Sequence, residues 1–206
     1  MSFYRERIYP RLVSGFGNPP PIQELRRRLL PLASGRTLEI GVGPGTNFAY
    51  YDPAKVTKLY ALEPNAEMVR IAEGRRRETE LDVEFLGLPG ERIPLADGCI
   101  DAVVSTFTLC TIGDVEAALR EVRRVLTPKG RLVFFEIAAS PDARVRRWQR
   151  LWEPVHHRLF EGLYLTRDIP GLIRGAGLAI ASIDSGSMSR FPRSWSHCCW
   201  GVAEVP

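Results

Sequence analysis

From Thr37 to Thr46 the sequence reads TLEIGVGPGT, a short apolar run that ends in a glycine at every second position: Gly41, Gly43 and Gly45. No other stretch restricts the fold as strongly. Glycine reaches positive φ at little steric cost, and without a Cβ it lets the backbone approach a neighbour or a ligand closely. A strand that runs into such a loop and out into a predicted helix begins a strand–helix–strand unit, whose loop and helix N-terminus offer free N–H donors. Taken alone, the loop reads equally well as a tight structural turn. The spacing G-x-G-x-G lacks the third glycine of the G-x-G-x-x-G fingerprint, which disfavours NAD. An acid, Glu39, stands where a dinucleotide-binding strand is usually apolar, and it suits a ligand with an ammonium group. Glu63 ends the next predicted strand, 22 residues after Gly41. An acid at that tip can accept from both hydroxyls of a ribose.

Around the loop, strand and helix patterns alternate. Residues 37–41, 58–63, 82–86, 100–106 and 131–137 are short runs rich in Val, Leu, Ile or Phe, as buried parallel strands should be. Residues 65–77 place Met68, Ile71 and Ala72 on one helical face, with Asn65 as N-cap. Residues 114–126 place Val115, Ala118, Leu119, Val122, Val125 and Leu126 on one face, with Asp114 at the start and Pro128-Lys129-Gly130 as a closing turn. The alternation predicts an α/β fold, a mostly parallel sheet with helices on both faces. The last third differs: a long helical stretch over 142–160, a short helix over 167–175, then strands over 178–184 and about 198–205. The triplets Arg26-Arg27-Arg28 and Arg75-Arg76-Arg77 read as solvated surface.

With 206 residues, 45% hydrophobic and 25% charged, the chain has the composition of one globular domain. The formal charge of +4 is too small and too dispersed for a dedicated nucleic-acid binder. Cys99, Cys110, Cys198 and Cys199 form no C-x-x-C pair, which disfavours a disulfide framework or a zinc site and fits a reduced, cytoplasmic setting. No apolar run is long enough for a signal peptide or a membrane span.

The segments E-I-G-V-G-P-G, A-L-E-P-N, I-D-A-V-V-S-T and E-V-R-R-V-L-T-P-K-G-R-L, in that order and spacing, resemble a class I S-adenosylmethionine-dependent methyltransferase over about residues 35–137. The resemblance implies a Rossmann-like seven-strand sheet whose last strand is antiparallel, with a helical insertion after the fifth. It implies one domain: N-terminal helices and lid over 1–34, the cofactor core over 35–137, the insertion over 138–177 and a strand pair over 178–206. Two groups are closest, the ubiquinone/menaquinone C-methyltransferases and the membrane-anchored alkyl thiol methyltransferases. The thiol group matches further, through L-A-D-G-C-I-D-A-V-V, T-L-C and E-P-V-H-H-R-L-F-E-G-L-Y-L-T-R-D. Those relatives begin with a long apolar helix near whose end this chain starts, so the resemblance implies a soluble form, with peripheral membrane contact still open.

The same resemblance assigns roles to residues. Glu39, Gly41 and Gly43 border the methionine moiety, and Gly45 and Thr46 open the following helix. Glu63 takes the ribose hydroxyls, and Pro64 and Met68 lie near the adenine. The loop containing Leu88 and Pro89 closes over the adenine, although Pro89 stands where many relatives carry an Asp. Thr106 and Phe107 line the methyl-transfer channel. A sulfonium is already activated and needs no metal, whereas a thiol or hydroxyl must lose a proton first. His157 and Asp168 match the thiol-methyltransferase pattern; Glu153, His156, His197 and Glu136 are further candidate bases. Ser105-Thr106-Phe107-Thr108 replaces the N-P-P-Y-type tetrapeptide of the nucleic-acid amino-methylases. The stretch ARVRRWQRLWEP reads as a lid over a hydrophobic substrate, an interfacial helix, or core packing with a charged outer face. The expectation is an enzyme that uses S-adenosylmethionine, releases S-adenosylhomocysteine, acts on a small apolar acceptor and exists as a monomer or dimer.

Overall fold

A computed structural model describes residues 18–160, 162–188 and 197–206. Seven strands form one sheet: β1 (Gly35–Ile40), β2 (Val56–Leu62), β3 (Val83–Leu86), β4 (Ile100–Thr106), β5 (Leu126–Ile137), β6 (Ala179–Ser187) and β7 (His197–Glu204). Their order is β3-β2-β1-β4-β5-β7-β6. The first five pair in parallel, and β7 runs antiparallel to both its neighbours. The described helices are α1 (Pro20–Leu29), α2 (Ala66–Arg76), α3 (Val115–Val125), α4 (Ala143–Leu159) and α5 (Ile169–Gly175).

Side chains of β4 and β5 alternate between two buried clusters, because successive Cβ atoms leave opposite faces of a sheet. Ala102, Val104, Val133 and Phe135 join Ile22, Leu25 and Leu29 of α1. Val103, Leu132 and Phe134 join Val115, Leu119 and Val122 of α3 and Ile169 and Ile173 of α5. Two covered faces explain why the centre of β4, Ala102-Val103-Val104, is consecutively apolar rather than alternating.

Helix caps follow the sequence. Asn65 accepts from the N–H groups of Glu67 and Met68, Asp114 from Ala117, and Asp142 from Arg144.

Three expectations need correction. No α-helix follows the glycine loop; residues 41–55 cross from β1 to β2 through turns and a single 3-10 turn, Phe48–Tyr50. Asn47, Phe48 and Tyr51 are all buried, so their side chains anchor the segment inward. Its aromatics are also weak helix formers. The turn predicted at Pro128-Lys129-Gly130 lies inside β5, where the pairing with β4 shifts register between Ile100 and Ala102. Neither arginine triplet is wholly solvated: Arg26 is buried and donates to Asn18 Oδ1, and Arg75 donates to Pro44 O and to Thr46 Oγ1.

Candidate active site

The parallel order reverses between β1 and β4, and at such a switch point the C-terminal ends of neighbouring strands diverge into a crevice. Gly41, Gly43 and Gly45 all have positive φ there, with different consequences. A Cβ on Gly41 would collide with the Thr108 side chain, and one on Gly45 with Phe48. A Cβ on Gly43 would meet nothing nearer than Gly41 O at 4.0 Å. Two of the glycines therefore serve close packing, and the third leaves an open face on the loop. Glu63, at the tip of β2, holds that turn. Its Oε2 accepts from Gly43 N at 2.9 Å and its Oε1 from Asn65 N at 2.9 Å.

Beneath the loop lies a buried polar network. Glu39 Oε1 accepts from Asn47 Nδ2 and Oε2 from Tyr51 Oη, both at 2.8 Å. Burial pushes the Glu39 carboxyl up to about 7, although Tyr51, Asn47 and Arg26 favour its charged form. The Asn47 amide also donates to Thr106 Oγ1 at 2.8 Å and so ties β1 to the end of β4. With its nitrogen spent twice, Asn47 keeps a buried Oδ1 that has no hydrogen-bond partner. Glu39 thus lies behind Asn47, and an ammonium group would reach it through that amide.

After β4 the chain turns sharply at Phe107, the only described non-glycine residue with positive φ, at 55°. Such strain persists where surrounding contacts over-determine it. Phe107 N donates to Phe135 O at 2.8 Å, and the two rings lie 4.5 Å apart. Glu136 accounts for the rest of the turn. Fully buried, it accepts from Ser105 Oγ at 2.6 Å and from the N–H groups of Thr108, Leu109 and Cys110, each at 3.1 Å. Burial raises its pKa and those donors oppose the rise. Glu136 is therefore a clamp on the turn rather than a base open to a substrate.

The insertion rejoins this turn. Tyr164 N donates to Cys110 O at 2.8 Å, and Arg167 donates to Leu109 O and Gly113 O while lying over the Tyr164 ring at 4.0 Å. The exposed His157 ring packs at a tilt against Tyr164, centroids 4.6 Å apart, which brings it beside the segment after β4. Asp168 is placed differently. It caps α5 by accepting from Gly171 N, and with Glu116, Arg120 and Leu172 it lines a hollow of about 380 Å³. No hydrogen bond or ion pair among the described residues joins it to His157. Glu153 accepts from Leu165 N, Thr166 N and Thr166 Oγ1, His156 Nδ1 bonds Trp152 O, and His197 is buried on β7.

Of the remaining assigned residues, Pro64 is exposed beside Glu63, Met68 is buried below it, and Leu88 and Pro89 follow β3 at the sheet's same edge. Thr46 is held by Arg75. Asn47 and Tyr51 escaped the sequence reading, which took Arg75 for solvated surface and Glu136 for a candidate base. The one available signal was the mixed aromatic and polar composition of residues 47–51, which fits no amphipathic helix.

The profile of a family described as a methyltransferase domain matches residues 38–134. The chain is 38% identical over 145 residues to the thiol S-methyltransferase TMT1B of Homo sapiens, covering 66% of this chain and 57% of that protein. It is 33% identical over 127 residues to a demethylmenaquinone methyltransferase of Clavibacter sepedonicus, covering 61% and 51%. The chain thus spans little more than half the length of these relatives. The fold matches the crystal structure of N-methyltransferase NodS from Bradyrhizobium japonicum, solved with S-adenosyl-L-homocysteine. The TM-score is 0.74 over 98% of each chain, at 15% identity. Matched motifs and strand order agree, and residues 38–134 form a methyltransferase domain of the class I, S-adenosylmethionine-dependent type.

Proposed function

We propose that this protein transfers a methyl group from S-adenosylmethionine to a small apolar acceptor, with a thiol as the favoured nucleophile. The observation that carries this reading is the pairing of an open face at Gly43 with a partnerless buried acceptor at Asn47 Oδ1. The first leaves backbone room that any side chain would fill, and the second suits the ammonium end of an amino-acid moiety. The residues fit the cofactor. Glu63 would take the ribose hydroxyls; Gly41, Gly43 and Glu39 with Asn47 would hold the methionine end, beside Gly45 and Thr46. Pro64, Met68, Leu88 and Pro89 would surround the adenine, and Thr106 and Phe107 would face the reacting centre.

When bound, S-adenosylmethionine supplies a methyl group on a sulfonium, open to in-line displacement. What the chain supplies is alignment and, for a thiol, a place for the proton. The strained turn at Phe107, clamped by Glu136, fixes one wall of the reaction space, and fixed geometry of this kind provides much of the rate in a two-reactant displacement. His157 is the assigned base. It lies beside the segment after β4 and is exposed, so a proton can pass to solvent. The imidazole would take the proton of an acceptor thiol and leave a thiolate as the nucleophile for the displacement. Asp168 supports the insertion as the cap of α5. A quinone- or phenol-type acceptor is the second reading, favoured by the demethylmenaquinone methyltransferase relatives.

Calorimetry with S-adenosylhomocysteine, with NAD as control, tests the site. Release of S-adenosylhomocysteine with aliphatic thiols, phenols and quinone precursors tests the reaction. Binding without turnover on any acceptor would make the chain a sensor, and methylation of protein or nucleic acid alone would overturn the small-molecule assignment.

A further inference from the structure

Helix α4 is built inside out. The side chains it turns towards the body are polar: Gln149 is fully buried and bonds Ser140 N and Ala138 O, and Glu153 accepts from Leu165 N, Thr166 N and Thr166 Oγ1. The side chains it turns outward are Trp148, Leu151, Trp152, Val155 and Leu159, each 43–66% exposed. They are five of the seven exposed large hydrophobic side chains among the described residues. At 3.6 residues per turn they fall within an arc of roughly 100°, a single continuous stripe. Soluble helices normally bury that stripe, and contiguous exposed apolar surface marks an interaction site.

Charge indicates what covers it. The helix carries five arginines, Arg144, Arg146, Arg147, Arg150 and Arg158, and one carboxylate, Glu153, which is turned inward. The surplus of four equals the formal +4 of the whole chain. Exposed Arg144, Arg147, Arg150 and Arg158 therefore flank the stripe with no acid of the helix between them and solvent. A second copy would bring an equally basic helix against this one, a like-charge approach that costs free energy. An anionic surface gains from the same arrangement. Tryptophan and arginine on adjoining faces, with low overall hydropathy, are also the composition of helices that lie in a membrane interface.

We propose that α4 docks the protein on an anionic lipid surface, its Trp148–Leu159 stripe in the acyl boundary and its arginines among the headgroups. The inference stands on α4 alone and does not need the methyltransferase reading. The two agree, because an apolar acceptor partitions into the phase on which the protein would sit.

Flotation of the full chain with vesicles tests it. Vesicles of phosphatidylcholine mixed with phosphatidylglycerol should carry the protein, phosphatidylcholine alone should carry much less, and added salt should release it. Leu151→Ser with Trp152→Ser should weaken binding to the mixed vesicles by about tenfold or more, since apolar burial drives insertion. Arg147→Glu with Arg150→Glu should abolish the preference for the anionic mixture. All four positions are exposed, and an unchanged melting temperature together with unchanged S-adenosylhomocysteine binding confirms that the variants fold. Turnover of a water-soluble thiol without vesicles should also persist. Wild-type protein that ignores mixed vesicles would overturn the proposal. So would loss of soluble-thiol turnover with unchanged flotation, which would make the stripe part of a lid. Self-association that the serine variants abolish would overturn it in favour of a second copy.

Discussion

Glu39 links the ionisation of one buried carboxyl to both stability and ligand binding. Its folded pKa of about 7 lies above the ordinary 4.5, so the unfolded chain releases this proton first. The sign follows: the Glu39 contribution falls as pH rises from 4.5 to 7 and is level above, a change of roughly 2–4 kcal/mol. Denaturant titrations should show this slope in the native protein and a flatter one in Glu39→Gln. An ammonium group held at Asn47 favours the ionised form. Affinity for S-adenosylhomocysteine should therefore rise as pH passes through about 7, with proton release, and Glu39→Gln should remove most of that dependence. An affinity equally steep in the variant would place the ammonium elsewhere. Gly43 gives a steric counterpart. Gly43→Val should abolish binding; its Cβ enters open space, so the cost to the fold is the strain of a side chain at φ 53° and not a clash, and far-UV dichroism should show the sheet and helices retained. Gly41→Ala, which meets Thr108, should instead destabilise the fold by about 1–3 kcal/mol. Normal binding by Gly43→Val would reduce the loop to a structural turn. From the sequence, Glu39, Gly43 and Glu63 were legible as candidates for the site, marked by two acids at strand ends and a glycine loop. That Glu39 lies behind Asn47 was not legible, since nothing in a linear pattern brings residues 39, 47 and 106 to one point.

Elements were read well wherever period and cap agreed. The helix from Ala66 and the helix from Val115 both begin where Asn65 and Asp114 cap them, and β4 was marked by its apolar centre, Ala102-Val103-Val104. The reading failed where tertiary contacts override local signals. Residues 47–51 look like the start of a helix only because a glycine loop usually precedes one, yet burial of Phe48 and Tyr51 holds them in a tighter path. Likewise, Glu136 reads as a strand-end acid open to the cleft, and only the fold shows three backbone amides and a hydroxyl converging on it. Its role belongs to the β4 turn as a unit. Glu136→Gln replaces an acceptor with an amide whose N–H groups face other donors, so the protein should lose about 1–3 kcal/mol of stability. Turnover should fall more than S-adenosylhomocysteine affinity, because the damage is to the wall at Phe107 and not to the glycine loop. A variant as stable and as active as the parent would show that Phe107 holds its strained conformation without the clamp.

At the scale of the molecule, strand order decides which parts can act together. The sequence β3-β2-β1-β4-β5-β7-β6 gathers the ends of β1, β2 and β4 at one edge. The insertion after β5 is then held against the segment after β4 by Tyr164 and Arg167. The proposed donor side, at Gly43 and Glu63, and the proposed acceptor side, at Phe107 and His157, therefore belong to different halves of the chain that only the sheet aligns. Such a division predicts separable kinetics. His157→Ala should leave S-adenosylhomocysteine affinity unchanged and lower thiol turnover near neutral pH by about a hundredfold, a typical contribution of a general base. The deficit should shrink as pH approaches the acceptor's own pKa, about 8.5 for an unperturbed thiol, because the thiolate then forms without help. Measuring turnover for parent and variant across that range decides the matter. A ratio that closes at high pH identifies His157 as the base. A ratio that stays constant would mean that His157 only positions the acceptor, and no difference at any pH would remove it from the reaction.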